Sequence, residues 1–543
     1  MKSMDIYDTT LRDGGQSEDV AFTSQDKIEI ARALDRLGVD YIELGWPASN
    51  ETDKRAFEMA KHLSLSHAQI TAFTSTHRTD REPEHDAGLD AVVRSGATVA
   101  CVFGKTWEPH VRDQLNVSLE RNLEIIEGTV GHLRGHGMDV VYDAEHFFDG
   151  FKDDPDYAMR CLRVAESAGA SALVLCDTNG GTMPDEFASI VSTVRSMLDE
   201  SAGTAKLGVH THNDSNMAEA NVLVSLPYID HIQGTINGFG ERCGNADLCS
   251  ILPGLMLKKG VNLPKVDLQG LKDVSNLVYT LSNNQPRKSQ PYVGRSAFCH
   301  KGGVHADAMT KGRGQKDPSM KGASYEHIDP KIVGNESRMI VSDVAGKANV
   351  VDMVNQFGYE PSPHDPRVRE MLMHVKEREA LGYDLSSLHA ERYLIVSQFF
   401  GDDEDPLEIP EWRVMTGVKG DSYSEAIIRG TVNGHKEASV APLDTDIADQ
   451  GPVGELYHAM QRLVGGRHDS IYNVHLTNYK VRIAQDNGAD STVRVFTEYK
   501  DNGNEWATVG VSANIMDASR EAIEKGFRYY LMTGGNRMDR YER

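Results

Sequence analysis

Residues 5–14 read DIYDTTLRDG, a short strand pattern that runs into a polar loop, and this order returns along the first half of the chain. An amphipathic stretch follows over Asp26–Leu37, in which Ile28, Ala31 and Leu34 share one helical face. Strand, loop and helix in alternation predict a parallel sheet covered by helices.

The alternation occurs eight times, which predicts an α/β fold of the (β/α)8 type, the TIM barrel. An open, doubly wound sheet is the structural alternative, but no G-x-G-x-x-G sequence follows the first strand. The predicted strands are Asp5–Tyr7, Tyr41–Glu43, Gln69–Ala72, Thr98–Phe103, Asp139–Tyr142, Ala172–Leu175, Lys206–Val209 and His231–Thr235.

The second half of the chain has a different organisation. We predict a barrel over residues 1–275, helical linker subdomains over 276–390 that contribute to the active site, and a C-terminal α+β domain over 391–543. The last domain contains an internal repeat of two βββα units. Each unit has an Asn-Gly pair between its second and third strands, Asn433-Gly434 and Asn502-Gly503, which favours a tight hairpin.

Composition excludes several classes of protein. The 543 residues carry a net charge of −24, which argues against nucleic acid as a partner because a binder needs a basic face. No apolar run reaches the roughly 20 residues of a membrane span. The six cysteines show no CxxC spacing, so we expect reduced thiols and a cytoplasmic protein.

Polar residues at the ends of the predicted strands indicate a metal site, because catalytic groups of such barrels lie there. Asp13 follows the first strand, and Asn245 lies in the glycine-rich loop after the eighth. His210 and His212 follow the seventh strand two residues apart, a spacing that turns both side chains to the same side. This oxygen and nitrogen donor set suits Mg²⁺, Mn²⁺ or Zn²⁺ and leaves positions for a chelating 2-oxo acid.

Other strand ends offer groups for a substrate. Arg12 is suited to hold an oxyanion, the Thr178 hydroxyl to bind a carboxylate, and Glu145 faces the same pocket. Beyond the barrel, His305 lies in a glycine-rich loop that can fold over the mouth and supply a base. Each residue also has a plainer interpretation as part of a solvated loop, a helix cap or a turn.

Four ordered motifs resemble one family, the 2-isopropylmalate, homocitrate and citramalate synthases, whose barrels are similar to that of HMG-CoA lyase. The likeness continues through YEHIDPKIVG at 325–334 and the βββα repeat, and GQSED, ELGWP and VYDAEHFFDG are nearest to the citramalate synthase branch. The motifs are DTTLRDG at 8–14, HTHND at 210–214, GERCGN at 240–245 and GVHAD at 303–307.

The resemblance implies a metal-dependent condensation of acetyl-CoA with pyruvate, on the route to isoleucine. It also implies a homodimer whose C-terminal domain is regulatory, with isoleucine as the feedback inhibitor. The implied site residues are Asp13, His210, His212 and Asn245 for the metal, Arg12 for the reacting oxygen, Thr178 for the substrate carboxylate, and His305, Glu145 and Tyr325 around the acetyl methyl group.

One departure bears on the substrate. The family reads F-S-x-E-D after the fifth strand, whereas this chain reads YDAEH over 142–146, which retains the glutamate and changes its neighbours. Alternatives are condensation with another 2-oxo acid, an HMG-CoA lyase reaction, an Fe(II) oxygenase with two histidines and one carboxylate, or an amino-acid sensor without catalysis.

Overall fold

The computed structural model describes residues 4–200, 203–300, 326–339, 346–362, 364–383, 388–401, 405–419, 421–441, 451–485, 488, 491–501 and 503–534. The chain forms two compact units. One comprises residues 1–298 and 328–336, and the other comprises 299–327 and 337–543.

The first unit contains a closed barrel of eight parallel strands in sequence order, with β1 paired to both β2 and β8. The predicted TIM barrel is therefore confirmed. Its strands are β1 Asp5–Asp8, β2 Tyr41–Gly45, β3 Gln69–Ser75, β4 Val99–Lys105, β5 Asp139–Glu145, β6 Ala172–Asp177, β7 Lys206–Thr211 and β8 His231–Gly234.

Ten α-helices are described in this unit, and most pack against the outside of the barrel. The first begins at a capping box between Thr23 and Asp26 and ends at Gly38, which has a φ of 98°. A Cβ at Gly38 would lie 2.0 Å from the Lys265 carbonyl oxygen, so only glycine fits this turn. The helices are α1 Ser24–Leu37, α2 Glu51–Ala60, α3 Ala87–Arg94, α4 Leu119–Gly135, α5 Phe147–Asp153, α6 Pro155–Ser167, α7 Pro184–Glu200, α8 Ala218–Ser225, α9 Leu248–Pro253 and α10 Leu271–Leu281.

Alternation along the strands separates two apolar layers. Outward residues such as Ile6 and Leu175 join the large core beneath the helices. Inward residues such as Tyr7, Phe73 and Cys101 form a second cluster inside the barrel. Side chains two apart along a strand point to the same face. The last inward residue of each strand therefore lies inside the barrel at its carboxyl end.

The second unit contains the predicted repeat, since two three-stranded antiparallel sheets are each followed by a helix. Asn433 and Gly434 have φ values of 49° and 75°, as a tight hairpin requires; Asn502 of the other pair lies outside the described residues. The two sheets are β11 Leu407–Lys419, β12 Asp421–Val432 and β13 His435–Ala441, followed by β14 His475–Gln485, β15 Thr492–Asp501 and β16 Asn504–Ser512.

In this unit two short strands, β9 Cys299–His300 and β10 Arg338–Met339, pair in parallel. The described helices are α11 Lys347–Gln356, α12 Pro366–Ala380, α13 His389–Phe400, α14 Pro452–Gly465 and α15 Ile515–Thr533. Residues of both repeats, among them Ile428, Leu456, Tyr499 and Phe527, pack in one core. Among the described helices, none has the length and apolar character needed to span a bilayer.

Candidate active site

Asp13, His210 and His212 lie together at the carboxyl end of the barrel. Each brings one potential ligand atom to within 4.8 Å of the others, and all three are buried. The Asp13 Oδ2 atom is 3.1 Å from His210 Nε2. The structure thus brings together the three residues that the sequence singles out as metal ligands, although their role stays a prediction.

The protonation of Asp13 and His212 suits a divalent cation. For His210, burial alone would lower the pKa, but the hydrogen bond to Asp13 and the charge of Asp13 raise it. Burial, followed by the charge of His210, lowers the pKa of His212 to about 4, which leaves its imidazole neutral. Burial alone would raise the pKa of Asp13, but Arg12 and His210 hold it well below its usual range. A carboxylate and a neutral imidazole are the forms that bind a metal ion.

Two buried atoms at the site have no hydrogen-bond partner among the described residues, His212 Nδ1 and Asn245 Oδ1. The Asn245 Nδ2 atom lies 2.7 Å from Asp13 Oδ2 and 3.1 Å from His210 Nε2. A half-turn of this amide would exchange its nitrogen for the unpartnered oxygen. The donor set therefore fits a cation with Asn245 as a fourth ligand.

The loop after β8 holds Asn245 in place. Asn245 bridges to His212, and a Cβ on Gly240 would lie 2.0 Å from Asn245 Oδ1, so glycine is needed at 240. Arg242 fastens the loop through two contacts with Asp214, at 2.8 and 2.9 Å. The glycines of this loop thus serve the close approach of the asparagine side chain.

Arg12 is held by a residue that the sequence reasoning missed. Its Nε donates to Glu43 Oε1 at 2.5 Å, and the other Glu43 oxygen accepts the Tyr7 hydroxyl at 2.6 Å. Glu43 is fully buried. The second interaction of Arg12 is with Asp13 Oδ1, 3.4 Å from Nη1. Glu43 therefore orients the guanidinium beside the candidate metal ligands.

An aromatic cluster lies under the same guanidinium, whose Cζ is 3.8 Å from the centroid of the Phe73 ring. Phe73 stacks on Phe103 with 5.2 Å between centroids, and Trp46 meets both rings edge-on at 5.6 and 5.8 Å. The ring faces stabilise the cation. They also form an apolar wall beside Arg12.

Thr178 and Glu145 lie at neighbouring strand ends. The Thr178 oxygen accepts the backbone N–H of His146 at 2.9 Å, so its hydroxyl proton remains available to a ligand. A carboxylate oxygen of Glu145 lies 2.5 Å from the Lys105 ammonium group. Neither residue makes a direct contact with Asp13, His210 or His212 in the hydrogen bonds and ion pairs of the described residues. His305 and Tyr325 lie outside the described residues.

Gln233 and Asp143 are two further buried polar residues that the sequence reasoning left without a role. Gln233 contacts His210, and Asp143 contacts Gln233. A sequence signal existed for Asp143, because it replaces the serine of the family motif after the fifth strand. Gln233 gave only the weak signal of a polar residue inside a short apolar strand.

The chain matches three known families in succession. The family described as HMGL-like matches residues 3–278, a homocitrate synthase post-HMGL domain-like family matches 292–381, and the LeuA allosteric (dimerisation) domain matches 383–531. The chain is 42% identical to the (R)-citramalate synthase of Geobacter sulfurreducens, over 98% of each chain. It is 41% identical to that of Sulfolobus acidocaldarius, over 98% of this chain and 97% of the relative.

The chain belongs to the (R)-citramalate synthase family. A homocitrate synthase of Methanopyrus kandleri is more distant, at 33% identity over 74% of this chain and 94% of the relative. The resemblance drawn from the motifs is confirmed, and members of this family are acyltransferases. The last match also confirms that the C-terminal repeat is a domain of the allosteric, dimerisation type.

Proposed function

We propose that this chain is an (R)-citramalate synthase, which condenses acetyl-CoA with pyruvate and hydrolyses the thioester to give citramalate and CoA. The observation that carries the proposal is the group of Arg12, Asp13, His210 and His212 at one end of a barrel. Five full-length relatives of that name, at 37% to 42% identity, support the same reaction.

Asp13, His210 and His212 would hold a divalent cation, with Asn245 as the fourth ligand. Mg²⁺, Mn²⁺ and Zn²⁺ all suit this mixed donor set. When bound, such an ion acts as a Lewis acid that polarises the ketone of a chelating 2-oxo acid.

Arg12 supplies fixed positive charge where the ketone oxygen becomes an alkoxide. Its buried pairing with Glu43 keeps the guanidinium in one orientation before the reaction begins, and preorganised charge contributes most at such a point. The Thr178 hydroxyl donates a hydrogen bond to the pyruvate carboxylate, since its oxygen already accepts one from the backbone N–H of His146.

The acetyl methyl group must lose a proton before it attacks the ketone. We assign this step to His305, supported by Glu145 and Tyr325, on the basis of the family motifs. Glu145, the last residue of β5, forms an ion pair with Lys105, the last residue of β4. After the carbon–carbon bond has formed, water hydrolyses the thioester and releases CoA.

The wall of Trp46, Phe73 and Phe103 favours a small 2-oxo acid. These three rings contact one another beside Arg12, and we assign this side of the site to the part of the substrate that extends away from its carboxylate. A methyl group demands less room there than the branched chain of 2-oxoisovalerate or the carboxylate of 2-oxoglutarate. Pyruvate is accordingly the proposed substrate.

A CoA-release assay with acetyl-CoA tests the proposal. Pyruvate, 2-oxobutyrate, 2-oxoisovalerate and 2-oxoglutarate are compared, and chiral chromatography identifies the product. We expect the highest kcat/KM with pyruvate, loss of turnover with a chelator, and loss of turnover and of retained metal in His212→Ala. Preference for another 2-oxo acid would reassign the substrate, while cleavage of HMG-CoA, or oxygen uptake with added Fe(II), would reject the condensation.

The C-terminal domain carries the regulatory part of the proposal. We assign isoleucine as the feedback inhibitor, a homodimer as the active assembly, and the cytoplasm as the compartment, within isoleucine biosynthesis. The LeuA domain match over residues 383–531 supports dimerisation and allosteric control. Inhibition by isoleucine but not by leucine in the CoA-release assay is the expected result.

A further inference from the structure

His210 makes a second buried contact on the side of its ring away from Asp13. Its Nδ1 atom lies 2.7 Å from Gln233 Oε1, and Gln233 Nε2 donates to Asp143 Oδ1 at 2.9 Å. Gln233 is fully buried and Asp143 is 3% exposed. A continuous series of side chains thus runs from the candidate metal site into the barrel interior.

The chemistry of these contacts fixes the direction of each hydrogen bond. Gln233 Nε2 donates to Asp143 Oδ1, so the NH₂ group of Gln233 faces Asp143, as an ionised carboxylate requires. The Gln233 carbonyl oxygen then faces His210, and because it can only accept, Nδ1 must carry the proton. With the proton on Nδ1, the neutral ring has its lone pair on Nε2, the nitrogen that lies 3.1 Å from Asp13 Oδ2.

The three residues of this series come from three different strands. His210 on β7 and Gln233 on β8 are register partners in neighbouring strands. Asp143 is on β5, so the contact between Gln233 and Asp143 crosses the barrel interior. A buried polar series across a core costs stability compared with apolar residues of the same size, which indicates a purpose other than packing.

We propose that Gln233 and Asp143 are positioning residues that hold His210 in the tautomer and orientation required to bind the catalytic divalent cation. The proposal rests on the metal site of the proposed function and does not depend on which 2-oxo acid is used. Burial raises the pKa of Asp143, but its oxygen accepts from Gln233 whether the carboxyl group is ionised or protonated.

Mn²⁺ affinity of the full chain, measured by calorimetry and by the electron paramagnetic resonance of free Mn²⁺, tests the proposal without any turnover. Gln233→Met and Asp143→Leu remove the acceptor groups at nearly constant volume. We expect each to weaken Mn²⁺ binding by about 10- to 100-fold, the usual effect of removing a residue that supports a metal ligand. Asp143→Asn keeps an acceptor oxygen and should stay within about threefold of the unchanged chain.

Thr71→Val is the matched control. Thr71 is fully buried on β3, and its hydroxyl has no hydrogen-bond partner among the described residues. This isosteric change to a polar group inside the same barrel should leave Mn²⁺ affinity unchanged. A comparable loss in Thr71→Val would show that any disturbance of the interior weakens the site, and would overturn the proposal.

The double variant distinguishes a series from two separate effects. Because Asp143 acts only through Gln233, Asp143→Leu combined with Gln233→Met should bind Mn²⁺ no more weakly than Gln233→Met alone. Multiplied losses would overturn the proposal, as would wild-type affinity in a single variant whose circular dichroism shows it to be folded. If one single variant does not fold, the other decides by the same criterion. Wild-type chain that binds Mn²⁺ but condenses no 2-oxo acid would refute the proposed function and leave this inference standing.

Discussion

Replacing Glu43 with glutamine tests whether the orientation of Arg12 matters, because Arg12 keeps its own charge while its carboxylate partner is lost. The change conserves volume but leaves one oxygen and one NH₂ group in place of two carboxylate oxygens. The remaining oxygen can satisfy Arg12 Nε while the NH₂ group turns to the Tyr7 hydroxyl, so the hydrogen bonds survive and the negative charge is lost.

Breaking a buried ion pair usually destabilises a protein by about 3–5 kcal/mol, because one charge stays uncompensated. Arg12 retains Asp13 as a second partner at 3.4 Å, so we expect about 3 kcal/mol for Glu43→Gln. Because the hydrogen bond of Arg12 to a neutral amide oxygen is weaker than that to a carboxylate, the guanidinium should also shift towards Asp13, away from the position that faces the alkoxide. Loss of one preorganised donor of this kind lowers kcat by about 10²- to 10³-fold.

Steady-state CoA release gives kcat and KM, and urea titration gives the free energy of unfolding. An interaction made in the transition state lowers kcat and kcat/KM together, so the KM for pyruvate should change little. Tyr7→Phe is the control: it removes the other hydrogen bond to Glu43 and keeps the ion pair, and its kcat should fall by less than about tenfold. A Glu43→Gln variant with kcat within threefold of the unchanged chain would refute the orienting role.

Three predictions concern stability. Lys525 is buried between carboxylates of Glu391 and Glu521, each 3.0 Å away. Lys525→Met should therefore destabilise the second unit by about 3–5 kcal/mol, measured by hydrogen exchange of helix α15. The control is Lys500→Met, at an exposed lysine, which should cost less than about 1 kcal/mol. Burial alone would raise the pKa of Glu521, but the charge of Lys525 and hydrogen bonds lower it from 4.5 to about 2. The ionised Glu521 therefore contributes at most about 3 kcal/mol to the free energy of unfolding, a contribution that is complete above pH 4.5 and is lost as the pH falls towards 2. Glu521→Gln should accordingly flatten the acid unfolding curve in that range. Tyr142 is fully buried, and its hydroxyl has no hydrogen-bond partner in the described ranges; Tyr142→Phe should raise the free energy of unfolding by about 1 kcal/mol in urea titration.

Each of these three has an outcome that would contradict it. Equal losses in Lys525→Met and Lys500→Met would mean that burial of the cation makes no difference. An acid unfolding curve of Glu521→Gln parallel to that of the unchanged chain would place the acid-sensitive group elsewhere. A destabilised Tyr142→Phe variant would mean that the hydroxyl fills space or bonds in a way that its contacts do not indicate.

Hydrophobic patterning predicted where the barrel strands begin better than where they end. Six of the eight strands, among them β3 and β5, begin at the predicted residue and end later. For β5 the prediction ended at Tyr142, whereas the strand continues to Glu145. Polar residues at a strand end break the apolar pattern while the backbone continues its hydrogen-bonded ladder, since the ladder does not depend on side-chain polarity.

That same polarity made the site partly predictable. His210 and His212 were identified because two histidines two apart at a strand end must share a face, a local rule that needs no knowledge of the rest of the fold. The same holds for Asp13, which the first loop places at the same end of the barrel. Their proximity follows from topology alone, since all parallel strands end at one face.

The residues that hold these side chains were not predictable by the same reasoning. Glu43 reaches Arg12 from β2, and Asp143 reaches Gln233 across the barrel, so each contact depends on strand stagger and barrel width. Patterning of one strand carries no information on either quantity. A buried glutamate or aspartate inside a predicted barrel strand is nevertheless costly unless it is paired. Such a residue therefore indicates a polar partner elsewhere in the barrel, which for Glu43 is Tyr7 on β1 together with Arg12 in the loop that follows β1.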